Sequence, residues 1–63
     1  MNSPQVGQIV KCTDPSRRLH DPKGYRVEEL CQSGGKPNRT FAGRGVAHGG
    51  LYQFAYSEWE PFN

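Results

Sequence analysis

Four side chains in the sequence carry thiol or imidazole groups that can ligate a metal: Cys12, His20, Cys31 and His48. Zinc sites bring their ligands in short pairs, two cysteines two to four residues apart or two histidines three to five apart. Neither pair is present, so these groups read as two small half-buried thiols and two loop histidines, with no metal site. No Ser, Thr or Cys sits in a nucleophile motif of the Gly-x-Ser-x-Gly kind. His20 and Asp21 are adjacent in a loop, which does not make a catalytic dyad. Glu28 and Glu29 are neighbours on an expected strand and should point to opposite faces, so they cannot act as a carboxylate pair. Gly43-x-Gly45 has no following helix to complete a phosphate loop. The sequence therefore predicts a protein that is not an enzyme and holds no cofactor.

The cations are more informative. Net charge is only +2, yet all eight Lys and Arg lie between Lys11 and Arg44. Asp14, Asp21, Glu28 and Glu29 share that stretch, leaving it at +4, and Glu58 and Glu60 make the tail −2. Arg17, Arg18 and Lys23 fall in one expected loop, and Lys36, Arg39 and Arg44 in or beside a second. Cations follow phosphates and flat rings stack on bases, the combination that single-stranded nucleic acid requires. Tyr25, Phe41 and Tyr52 are the rings that can lie between the loops. An aromatic surface of Tyr25, Tyr52, Tyr56 and Trp59 also suits a protein partner. The first loop is net basic, so it lacks the acidic cluster of eukaryotic SH3 grooves and does not suit proline-rich peptides.

The elements that must position these residues are short. A chain of 63 residues buries only roughly 60% of its unfolded surface and builds one small core. Apolar residues are 33%, and eight Gly with five Pro make about a fifth of the chain. That composition disfavours helix, while seven aromatics supply a core. Strands are predicted at 6–12, 24–31, 39–47 and 51–56, separated by a polar loop at 13–23, a turn at 33–38 and a tight turn at 48–50. Asp14-Pro15 and Asp21-Pro22 forbid a helix in the first loop. In the first hairpin, Cys12 is expected near Tyr25 and Val6 near Cys31, which separates the thiols. Ser57-x-x-Glu60 resembles a capping box, but Pro61 stops it after one turn. A single C-terminal 3₁₀ turn and a short closing strand at Phe62 are predicted.

This order resembles an SH3-like small barrel. The predicted fold is one all-β domain over 1–63, an SH3-like barrel of four to five antiparallel strands with a C-terminal 3₁₀ turn. Its expected core is Val6, Val10, Tyr25, Val27, Phe41, Val46, Phe54 and Trp59. The fold hosts many unrelated functions and fixes none.

Gly7-Gln8-Ile9-Val10, followed by Gly24-Tyr25-Arg26-Val27-Glu28, also resembles two segments of the plasmid-encoded type II dihydrofolate reductases. Those are short SH3-like barrels that assemble as homotetramers around one pore lined by Val-Gln-Ile-Tyr. Tyr52-Gln53-Phe54 is similar to the Gln-centred part of that motif, with Ala55 where the family has Tyr. Trp59-Glu60-Pro61-Phe62-Asn63 resembles the family's ending. The resemblance implies that Gln53 would hold the pterin and nicotinamide rings, with Lys11 as a phosphate or carboxylate contact. It also implies an oligomeric accessory protein of a mobile element.

No run of residues is apolar enough to span a membrane, and the N-terminal residues lack a secretory pattern. A reducing cytoplasm is the expected compartment. The leading expectation is a non-enzymatic module that contacts nucleic acid or an acidic protein. Its candidate residues are Arg17, Arg18, Lys23, Lys36, Arg39, Arg44, Tyr25 and Tyr52. The reductase-related oligomer and a purely structural, self-associating protein are the alternatives.

Overall fold

Val10, Val27, Phe41 and Phe54 are sealed from solvent, and Tyr25 nearly so. In the computed structural model, which describes residues 3–31 and 39–62, four strands contribute these side chains. They are β1 (Ile9–Cys12), β2 (Tyr25–Cys31), β3 (Thr40–Gly45) and β4 (Leu51–Ala55); β5 (Trp59–Pro61) completes the set. Burying each such side chain stabilises the fold by about 1.5–3 kcal/mol. Cys12, Leu19, Leu30, Tyr56 and Trp59 pack around this cluster.

The strands form one antiparallel sheet in the order β4-β3-β2-β1-β5. This small all-β architecture is compatible with an SH3-like fold, but the sheet does not close into the expected barrel. The strands β4 and β5 are its two edges. Pro61 has no N–H to donate and is tolerated because β5 is an edge.

Among the described residues, the one 3₁₀ turn lies at Pro15–Arg17, in the first loop, and not in the tail. Asp14 caps it by accepting from the Ser16 N–H, and Pro15 occupies the first position. An Asp N-cap followed by Pro is a helix-start signal. The tail instead turns between Ala55 and Glu58, where the Glu58 N–H donates to the Ala55 carbonyl. It then runs extended as Trp59, Glu60 and Pro61 pair with Cys12, Lys11 and Val10.

Two expected core residues are outside. Val6 is 63% exposed and Val46 40%. The Gln8 N–H donates to the Gln5 carbonyl, and Gly7 has φ of 92°, so the chain turns before β1 and Val6 sits on that turn. The strand β3 ends at Gly45, so Val46 opens the next turn and no longer follows strand parity.

The first hairpin is shifted by two residues from expectation. Val10, not Cys12, lies opposite Tyr25. Cys12 faces Trp59 and Cys31 faces Thr40, and both thiols are free. The pairing of β2 with β3 skips Glu28, placing a bulge between Val27 and Glu29. Strict alternation would turn Glu29 inward after Tyr25 and Val27. The extra residue resets the phase, so both glutamates are exposed and Leu30 packs on the core. This corrects the expectation that the two carboxylates lie on opposite faces. The expected turn at 33–38, with Lys36, lies outside the described residues.

Among the described residues, no helix is long and apolar enough to cross a membrane.

Candidate functional site

Three of the eight candidate residues line one pocket. Arg18, Tyr25 and Tyr52 surround a recess of about 210 Å³ together with His20, Asp21 and His48. The first loop supplies Arg18, His20 and Asp21. The strands β2 and β4 supply the tyrosines, and the β3–β4 turn supplies His48.

Asp21 holds these parts in register. It is 6% exposed. Its Oδ1 accepts from the Lys23 N–H at 2.8 Å, an Asx turn that its Asp-Pro sequence signals. Its two oxygens also accept from the Ala47 N–H at 3.1 Å, and Oδ2 accepts from the His48 N–H at 2.9 Å. Burial alone would raise its pKa. The backbone donors of His48, Lys23 and Ala47 outweigh burial and leave it below the ordinary carboxylate value. Gly45 is needed beneath it, since a Cβ there would stand 2.5 Å from Oδ2.

Arg18 follows the 3₁₀ turn in left-handed conformation, φ 54° and ψ 39°. Among the described residues it is the one non-glycine with positive φ. Its guanidinium is exposed and has no partner among the described residues. Tyr52 is 41% exposed and meets Tyr25 edge-on, with ring centroids 5.9 Å apart and planes at 88°. Tyr25 lines the recess as a buried core ring and is not the exposed ring that the sequence suggests. Burial raises the pKa of its hydroxyl. Phe41 is likewise buried, stacked on Phe54.

The other candidates are elsewhere. Arg17 serves a different part of the molecule from its neighbour Arg18. Its Nη1 donates to the Gln53 carbonyl at 2.7 Å and to Glu58 Oε1 at 3.3 Å, and its guanidinium sits 5.4 Å from the Phe54 ring centroid. Glu58 Oε1 also accepts from the Ala55 N–H at 3.0 Å. This cluster links β4 to the start of β5. Arg44 is on the outer face, where Nε donates to Glu28 Oε2 at 2.9 Å and Nη1 to the Gly49 carbonyl at 3.0 Å. Arg39 lines a shallow recess with Tyr56 and Ser57. Lys23 is exposed on the first loop.

Sequence reasoning missed that His20 and His48, 28 positions apart, share the pocket. It also missed Arg26, an exposed cation opposite Arg44. Lys11 pairs with Glu60 across β1 and β5 at 3.0 Å. After the ion pairs are assigned, Arg18, Lys23, Arg26 and Arg39 have no acidic partner among the described residues, and Asp14, Asp21 and Glu29 have no cationic one. Asp14 and Asp21 are engaged by neutral donors. Gln53, the residue implicated by the reductase resemblance, is exposed on β4 and donates to Thr40 Oγ1 at 2.9 Å. Among the described residues, no group of three His, Cys, Asp or Glu can hold a metal ion.

Compared with protein-family models, curated proteins and solved structures, the chain matches none.

Proposed function

We propose that this chain is a non-enzymatic binding module, an SH3-like scaffold that contacts an anionic partner, nucleic acid or an acidic protein, through its first loop. The observation that carries this reading is that four cations stand outside the ion pairs of the described residues, against three acids, two of which, Asp14 and Asp21, are held by neutral donors within the fold. Two of those cations, Arg18 and Lys23, stand on the first loop, and Arg18 lies beside the exposed ring of Tyr52. A cation that an ion pair already engages inside the fold must break that pair before it can meet a phosphate. An unpaired one loses only water and counterions.

The first test is fluorescence anisotropy of a labelled single-stranded oligonucleotide at low salt. Wild type should bind with an affinity that falls as salt rises, and Arg18→Ala should weaken binding. The slope of log K against log salt should become shallower by about 0.7, the value for one phosphate of a single strand. No binding by wild type at low salt overturns the nucleic-acid form of the reading and leaves an acidic protein as the partner.

A further inference from the structure

A residue that must enter the left-handed region is cheapest as glycine, and most other L-residues are strained there. Position 18 carries arginine in that conformation. Local folding gives no reason for the choice, because its guanidinium bonds to nothing among the described residues. The side chain instead helps line the recess of about 210 Å³ that also contains His20, His48 and Tyr52. The four offer complementary chemistry. A guanidinium and two imidazoles supply N–H donors to anionic oxygens. The half-exposed phenol ring of Tyr52 supplies a flat face. The one acid lining the recess, Asp21, is buried and already committed to backbone N–H groups of Lys23, Ala47 and His48. These bonds fix the walls of the recess.

We propose that this recess is a subsite for one nucleotide unit, with the phosphate on Arg18 and the imidazoles and the base against Tyr52. The recess lies below the roughly 300–1,000 Å³ of drug-sized sites, so it suits a ligand no larger than one nucleotide unit. This rests on the reading of the chain as a binder of anionic partners, and it narrows that partner to a phosphorylated nucleotide, free or within a single strand. A free nucleotide and a strand present the same phosphate-plus-ring chemistry, and the experiment separates them.

The test is a titration followed through backbone amide NMR shifts of the whole chain. The probes are thymidine monophosphate, thymidine, inorganic phosphate and a short oligothymidylate. The nucleotide should shift the amides of Arg18, His20, His48 and Tyr52 and bind more tightly than either thymidine or phosphate. Tyr52→Ala should lower nucleotide affinity about five- to hundredfold, the range for loss of stacking on one base. Arg18→Ala should do so by about tenfold or more, as expected for a charged hydrogen bond. Lys11→Ala, whose partner Glu60 lies on another strand pair, should change nothing and controls for bulk charge.

An oligothymidylate that binds wild type, Arg18→Ala and Tyr52→Ala alike overturns the subsite and leaves the wider reading standing. A nucleotide that shifts the pocket while the oligothymidylate does not bind supports the subsite and overturns strand binding. Inorganic phosphate binding as tightly as the nucleotide overturns the role of Tyr52. If no probe shifts any pocket amide, the subsite is overturned. Amide spectra of the free variants check that each retains the fold.

Discussion

Arg17 and Arg18 are consecutive, equally charged and drawn from the same loop, yet they serve different parts of the molecule. Arg17 is committed to β4 and the turn that follows it, where it satisfies a backbone carbonyl, a carboxylate and an aromatic face. Arg18 lines a pocket, and its guanidinium has no partner among the described residues. The 3₁₀ turn that ends between them makes the difference, since the switch to left-handed backbone at Arg18 sends successive side chains apart. Counting cations along a sequence treats the two as one basic patch. Their folded environments make one a structural brace and leave the other available to a ligand.

The largest perturbation should erase the contrast altogether. Phe54 stacks on Phe41, touches Tyr25 and carries the Arg17 guanidinium. Phe54→Ala should cost about 3–5 kcal/mol, enough to unfold much of the population of a domain this small. Urea unfolding followed by tryptophan fluorescence measures it, and a loss below about 1.5 kcal/mol, the cost of one CH₂ or two, would contradict this core.

Arg17→Ala sharpens the contrast. A hydrogen bond from a charged group contributes about 1.5–3 kcal/mol, and the Arg17–Glu58 pair is mostly shielded, with 30% and 25% of its side chains exposed. The urea midpoint should fall clearly for Arg17→Ala and hardly at all for Arg18→Ala. Equal midpoints would remove the distinction between brace and binding residue.

Asp21 comes next, through pH. Its folded pKa lies below the unfolded value of about 3.9, so the carboxylate stabilises the fold at any pH above that value. This contribution is lost as pH falls through the lower folded pKa. Asp14 shifts in the same direction because the Ser16 hydroxyl and N–H bond to it. Acid unfolding of Asp21→Asn should therefore be shallower than that of wild type below about pH 4, near the unfolded aspartate pKa. The His48 amide should lose protection from hydrogen exchange in that variant. Tyr25 acts at the other extreme. Its pKa is raised by burial, so its contribution is complete below the unfolded pKa of about 10 and lost as pH rises through the higher folded value.

The smallest effect has the opposite sign. Arg18→Gly relieves left-handed strain and should stabilise the chain by about 0.5–1 kcal/mol, net of the added freedom of glycine in the unfolded state. The same change should weaken nucleotide binding by about tenfold or more. A gain in midpoint with loss of ligand would mark position 18 as one where stability is given up for function.

Much of the fold is legible in the sequence. The β-branched and aromatic runs locate four strands, and alternation places Val10, Val27, Phe41 and Phe54 in the core. The departures have local causes. Period-two counting cannot foresee the bulge at Glu28, because one inserted residue reverses the phase of all that follows. Asp14-Pro15 signals a turn, but the capping geometry that makes it a 3₁₀ turn emerges only in the fold. The open sheet depends on long-range geometry that no local pattern encodes. The candidate site is half legible. Arg18 and Tyr52 stand out by type, but the buried carboxylate that joins the first loop to His48 spans 27 positions, and no spacing rule predicts such a contact.

The Arg17–Glu58 pair has a further consequence for neighbouring molecules. An open sheet presents its edge strands as templates on which another chain can build. A strand adding beside β4 must find outward carbonyl and N–H groups free in sequence. The Gln53 carbonyl is taken by Arg17 and the Ala55 N–H by Glu58. One ion pair thus blocks two adjacent rungs of the ladder, so polymerisation along this edge must first overcome an electrostatic contact that added salt weakens.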